Sequence, residues 1–164
     1  MTEQIAIDSR SSGGADVAPS GLDLSPLPSF VGYMLRRAQM LVFDDFIRAM
    51  TPLGLRPASF SVLTLIDANP GATQSAVSEA LGLQRTNLVA IIDALEQRGL
   101  ARREPAKNDR RSHALFISER GKRLLRQAVD VQAEHETRIL RRLAPKERTQ
   151  LLGLLHKMLD EPVE

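Results

Sequence analysis

Ser75-Ala76-Val77-Ser78-Glu79-Ala80-Leu81-Gly82-Leu83-Gln84-Arg85-Thr86-Asn87-Leu88-Val89-Ala90-Ile91-Ile92 holds two apolar helical stripes parted by a single glycine. Thr73 is a good N-cap for the first stripe, which carries Val77 and Leu81. Gly82 breaks it, as the tight turn of a helix-turn-helix requires. The second stripe, Leu88, Ile91, Ile92 and Leu95, predicts a helix from about 84 to 98 that stops at Gly99.

The front of that second helix is polar. Gln84, Arg85, Thr86 and Asn87 fall in its first turn, opposite Leu88 and Ile91, and Ala90 lies one turn on. Arginine can bond guanine bidentately, and Gln or Asn can do the same with adenine; each good pair is worth about 1–3 kcal/mol of discrimination. Ala90 is small enough for a groove wall to come close. Polar residues at a helix start are also ordinary caps, so the next segment of the chain decides between the two. Arg102, Arg103, Lys107, Arg110 and Arg111 crowd into ten residues, opposed by Glu104 and Asp109 alone. A basic hairpin after a polar-fronted helix suits one face laid along a phosphate backbone.

Working outward, Leu100 to Glu104 reads as a short strand, Pro105 to Asp109 as a turn, and Ser112 to Ser118 as the returning strand. Upstream, Val31, Met34, Leu35, Ala38, Leu41, Val42 and Phe46 recur at 3–4 steps, predicting a helix over 29–50 with Ser29 as a possible cap and Thr51-Pro52-Leu53-Gly54 as its end. Pro57 suits the first turn of a second helix reaching about Asn69, with Phe60, Leu63 and Ile66 inward. Downstream, Leu124, Leu125, Ala128, Val131, Ile139 and Leu143 predict a long helix over 119–143, and Pro145 opens a last one over 145–160. The fold class is therefore mainly α: a winged helix-turn-helix in the order α-α-α-α-β-hairpin-α-α. Residues 1–25, rich in Ser, Gly, Asp and Ala without periodicity, read as a disordered arm, and 26–164 as a single domain.

Composition narrows the function classes. The chain has no cysteine, which excludes disulfides, thiolate metal sites and cysteine nucleophiles. No apolar run approaches the ~20 residues of a membrane span, and the polar, acidic start does not resemble a signal peptide, so a cytoplasmic protein is expected. The arm carries four carboxylates (Glu3, Asp8, Asp16, Asp23) against Arg10, net −3; since the whole chain is +2, the remainder is +5. Excess positive charge points weakly to a polyanionic partner. His113, His135 and His156 are isolated, without metal-ligand spacing, and Asp44-Asp45 has no partner that sequence can identify. There is no Gly-rich phosphate loop and no G-x-S-x-G elbow. No enzyme, metal or cofactor is expected.

The stretch from Thr73 to Gly121 resembles the multiple antibiotic resistance regulator (MarR) family of bacterial repressors. The matching pieces are Ser75 to Leu83, Leu95-Glu96-Gln97-Arg98-Gly99-Leu100, Asn108-Asp109-Arg110-Arg111, and Leu115-Phe116-Ile117-Ser118-Glu119-Arg120-Gly121. Flanking helices of the same order and length extend the resemblance over about residues 29–160. It implies a winged helix over 55–118 and dimerisation helices at 29–50 and 119–160. Thr73, Gln84, Arg85, Thr86, Asn87, Ala90, Arg102, Lys107, Asp109, Arg110 and Arg111 are then the expected DNA-binding residues, with Asp109 pairing Arg111 to stiffen the wing while Arg110 or Arg111 reaches the minor groove. Ala144 departs from the Ser or Thr cap usual before Pro145, implying a weaker helix end.

The partners implied are double-stranded DNA, bound as a near-palindrome, a second copy of the chain, and a small-molecule effector. Tyr33, Arg36, Arg37, Met40 and Phe60 are the candidates to line an effector cleft, where adjacent arginines could hold an aromatic carboxylate or the phosphates of its coenzyme A thioester. Two other classes use the same fold: a winged-helix module that binds protein, and an architectural DNA binder without sequence preference.

Overall fold

The structure, a computed structural model, describes residues 22–106 and 109–160, and at 106, 109–112 and 160 the backbone alone. Most of the expected arm and Lys107 lie outside the described residues, as do the side chains of Asp109, Arg110 and Arg111. Contacts divide the chain into two units at Met40/Leu41. Helix α1, Val31–Met50, runs through both.

In the first unit a 3-10 turn, Leu27–Ser29, precedes α1. Ser29, expected as a helix cap, sits inside this turn and its hydroxyl donates to the Pro26 carbonyl at 2.7 Å.

In the second unit, the end of α1 passes through a 3-10 turn, Thr51–Leu53, closed by Gly54 at φ 61. That left-handed angle costs a glycine little. Helix α2 follows at Pro57–Ala68, α3 at Gln74–Ala80 and α4 at Arg85–Gln97. Strands β1, Ala101–Ala106, and β2, Asp109–Ile117, form an antiparallel hairpin. Helix α5 spans Glu119–Ile139 and α6 spans Pro145–Asp160.

The core is aliphatic, as the scarcity of aromatics dictates. Met50, Leu63, Ile66, Leu88, Ile92 and Leu115 are fully buried and draw α1, α2, α4 and β2 together. The hairpin is held at its base by a third segment: Gly71 N–H donates to Leu115 C=O, and Leu115 N–H to Ala72 C=O, both at 2.9 Å. The entry to α5 is equally tight. Ser118 caps the helix by accepting from Gly121 N–H at 2.9 Å, while its hydroxyl donates to Gly99 C=O at 2.6 Å. A Cβ at Gly121 would overlap the Leu100 carbonyl oxygen and press on Ile117. The glycine is there for close approach, not for an unusual backbone angle.

Three expectations are corrected. Pro105 is not in the turn: β1 continues through it to Ala106, with the register slipping between Pro105 and Ala106, where proline offers no ladder N–H. Helix α5 stops at Ile139 rather than 143. The chain turns there because Arg148 reaches back to the Leu140 and Leu143 carbonyls, at 3.2 and 3.3 Å, and supplies donors that another helical turn would have provided. The weak cap at Ala144 is offset by Glu147, whose carboxylate accepts from Ala144 N–H at 2.7 Å, one half of a capping box.

Candidate nucleic-acid interface

Thr73 caps α3 as its residue type predicts, accepting from Ala76 N–H at 3.2 Å. The turn between α3 and α4 has Gly82 at φ 59, and Leu83 N–H donates back to Ser78 C=O at 2.9 Å. Ser78 adds a second tie, its hydroxyl donating to the Leu83 carbonyl. This buried serine, not singled out in the sequence, locks the angle between the two helices.

Gln84 is the N-cap of α4, in extended conformation, one residue earlier than the first turn expected for it. Gln84, Arg85, Thr86, Asn87 and Ala90 are all exposed, while Leu88 and Ile92 on the opposite face are buried. Arg85 donates to Ser75 Oγ at 3.0 Å, so its guanidinium is steadied against the start of α3. The front of α4 thus offers amide and guanidinium groups to whatever approaches it.

The hairpin is fastened to α4 by Arg103. Its guanidinium pairs with Asp93 at 2.7 Å and with Glu96, and donates to Val89 C=O at 3.3 Å; its backbone N–H donates to Glu96 at 2.7 Å. Only 19% of this side chain is exposed. Arg103, one of the cations that make the hairpin read as basic, is spent inside the protein. Arg102, next along the strand, faces the other way. It pairs with Glu104 at 2.8 Å and lies over the Phe116 ring, its cross-strand neighbour, at 5.1 Å. At the C-terminus of α4, Arg98 donates to Gly54 C=O at 2.6 Å and Leu53 C=O at 2.9 Å. The helix is therefore pinned at both ends and along one side.

The effector candidates fall in both units. In the first, Arg37 lies over the Tyr33 ring at 5.9 Å, and Arg36 and Met40 are exposed. In the second, Phe60 packs edge-on against Phe46 at 5.7 Å and lines an apolar cleft of about 300 Å³ with Thr64, Leu65 and Leu81.

His135 and Asp45, each without a partner that the sequence identifies, meet. His135, 1% exposed, donates from Nδ1 to Asp45 Oδ2 at 2.7 Å; Arg138 reaches the same oxygen at 3.0 Å and Arg48 the other at 3.2 Å. The bond from His135, then that from Arg138, holds the Asp45 carboxyl far below the usual carboxylate range. Among the described residues no group of three metal-ligating side chains occurs, and no helix is long and apolar enough to cross a membrane.

A helix-turn-helix with a β-hairpin wing, its second helix presenting polar side chains, defines a winged-helix protein. The MarR family profile matches residues 53–112. The putative transcriptional regulatory protein for the hcr operon of Thauera aromatica is 31% identical over 135 residues, covering 82% of this chain and 81% of its own. Among solved structures, the transcriptional repressor CouR bound to a 23-mer DNA duplex superposes with a TM-score of 0.80 at 43% identity, covering 84% of this chain and 97% of that one. CouR bound to p-coumaroyl-CoA gives 0.78 at 39% identity, with 86% and 99% covered. The chain belongs to the MarR family of transcriptional regulators.

Proposed function

We propose that the protein is a homodimeric repressor that binds a near-palindromic operator and leaves it when an aromatic carboxylate, or the coenzyme A thioester of one, binds. The observation that carries DNA reading is the exposed run Gln84–Asn87 at the start of α4, beside a hairpin bolted to that helix by Arg103. In this reading Gln84, Arg85, Thr86 and Asn87 face base edges, Thr73 and Arg102 flank the backbone, and Lys107, Arg110 and Arg111 follow the wing into the minor groove, with Asp109 orienting Arg111.

Dimerisation is supported by apolar surface that one copy leaves open. On α1, Val31 is 70% exposed and Leu41 58%; on α6, Leu152 is 59% exposed and Leu159 77%. Apolar faces of this size on a chain otherwise well packed mark an interface. A twofold dimer sets its recognition helices about 34 Å apart, one DNA turn.

Effector release is supported by the likeness to CouR, whose structures carry DNA in one case and p-coumaroyl-CoA in the other. Tyr33, Arg36, Arg37, Met40 and Phe60 are the residues proposed to contact the aromatic effector.

The test is fluorescence anisotropy on a duplex from upstream of the protein's own gene and on a scrambled duplex, across salt, with and without p-coumaroyl-CoA. Tight, sequence-selective binding relieved by the thioester supports the reading. Equal binding to both duplexes with a steep salt slope would identify an architectural binder. No binding at low salt would identify a protein-interaction module.

A further inference from the structure

Arg85 leaves α4 in a different direction from its neighbours. A helix turns about 100° per residue, so Arg85 lies only about 60° round α4 from the fully buried Leu88, while Thr86 and Ala90 lie about 160° from it on either side. Thr86 and Ala90 therefore face straight away from the core, and Asn87 stands beside them. Arg85 emerges on the flank of the helix. It is the same flank as Glu96, about 80° round from Leu88, whose carboxylate accepts from Arg103 of the hairpin.

The side chain ends on another element. Arg85 Nη2 donates to Ser75 Oγ of α3 at 3.0 Å. Ser75 stands on a framed segment: Thr73, just before it, caps α3 and pairs with Ala114 of β2 in an isolated antiparallel bridge. The other arginines of the winged helix are spent. Arg102 and Arg103 pair with carboxylates, and Arg98 bonds two carbonyls. Arg85 has, among the described residues, no carboxylate within ion-pair distance. Its partner is a neutral hydroxyl, which cancels none of the positive charge and leaves most of the guanidinium N–H groups on offer. The serine hydroxyl, having accepted one bond, still has its own proton to donate.

We propose that Ser75 and Arg85 together grip one phosphate of the DNA backbone, and that Arg85 reads no base. Both groups present donors, one of them charged, and a phosphate oxygen only accepts. Their place in the fold agrees. In a helix-turn-helix the first helix crosses the sugar-phosphate backbone while the second enters the groove, so a guanidinium tied to the first helix is held at the backbone. The pair lies on α3 and α4, apart from α1, α5 and α6, the helices proposed to meet in the dimer. The proposal rests on the DNA reading above and changes one assignment within it. Gln84, Thr86 and Asn87 keep the base edges, and Arg85 fixes the register in which they meet them.

The experiment is fluorescence anisotropy of the full chain on the duplex from upstream of its own gene, on single-base-pair variants of it and on a scrambled duplex, across salt. A scan follows in which one phosphate at a time is replaced by an uncharged methylphosphonate. Arg85→Gln weakens binding to every duplex by the same factor, about tenfold, and lowers the salt slope by about 1. Arg85→Lys keeps the slope and recovers part of the affinity. Ser75→Ala weakens binding to every duplex with the slope unchanged, since a hydroxyl carries no charge. Adding it to Arg85→Gln costs less than the product of the two single effects, because both groups serve one phosphate. In the scan, at least one methylphosphonate weakens the parent and leaves Arg85→Gln unmoved. Both positions are exposed, and circular dichroism melting checks that the variants are folded. If Arg85→Gln weakens the operator alone, with the loss confined to one base pair, the proposal is overturned and Arg85 returns to a base edge with the DNA reading intact. Identical methylphosphonate profiles for the parent and Arg85→Gln overturn it as well. A parent that binds no duplex at low salt removes the DNA reading itself, and this proposal with it.

Discussion

His135 donates from Nδ1 to Asp45 Oδ2 at 2.7 Å, joining α5 to α1 across ninety residues of chain. The carboxylate is held ionised more firmly in the folded protein than in the unfolded one, because His135 and Arg138 both bond its charged form. A group with a lowered folded pKa contributes its stability in full above the unfolded value, about 3.9, and loses it as the pH falls below that. Asp45→Asn should therefore cost about 2 kcal/mol at pH 7, the scale of a lost charge-assisted bond. The gap between parent and variant should shrink once the pH drops under about 4. Urea unfolding of both proteins at pH 7 and pH 3 measures it, and a gap that stays constant would refute this account of the pair.

Arg103→Ala should destabilise the fold rather than merely strip a surface charge. It removes a half-buried cation bonded to Asp93, Glu96 and Val89 C=O. Charge-assisted bonds of this kind are worth about 1.5–3 kcal/mol, and two carboxylates are left side by side. Arg102→Ala, whose ion pair with Glu104 is exposed on both sides, should cost under about 1 kcal/mol. Thermal unfolding of the two variants separates the roles.

Gly121→Ala should be the most damaging glycine-to-alanine change among the described residues. Its Cβ meets the Leu100 backbone carbonyl, which no rotamer change can move aside. Overpacking against backbone costs about 3 kcal/mol. Gly153→Ala, whose Cβ meets nothing within 4 Å, should be neutral or stabilising, and comparing denaturant midpoints checks both.

The proposed DNA contacts divide by kind. Asn87→Ala should relax discrimination at one operator position by about 1–3 kcal/mol. Arg111→Ala should weaken binding to every duplex alike and lower the salt slope by about 1. Anisotropy titrations on operator and scrambled DNA read both effects. Two variants with identical profiles would show that α4 and the wing do not have separate roles.

Elements were legible wherever apolar spacing is regular. The 3–4 steps through Leu88, Ile91, Ile92 and Leu95 set α4 to within a residue at either end. The pattern overran in α5 because Leu140 and Leu143 continue the apolar stripe, while the actual stop is made by Arg148 from the next helix. The polar front of α4 was legible for the same reason as its core: both are consequences of one helical period. What sequence could not show was which charges are used up inside the molecule. Arg102 and Arg103 are adjacent and chemically identical, yet strand alternation sends one to the Phe116 side and the other onto α4. His135 and Asp45 read as isolated because nothing local in a chain marks a pair ninety residues apart.

Arg98 grips the Leu53 and Gly54 carbonyls from the last turn of α4, at the end remote from Gln84. Thirteen helical residues lie between grip and tip, a rigid arm of roughly 20 Å. Such an arm multiplies: a tilt of about 6° at the grip carries the tip some 2 Å sideways over that ~20 Å length, as far as separates a bonded base edge from an unbonded one. The joint between the first two helices thus holds the short end of a lever whose long end carries Gln84 to Asn87.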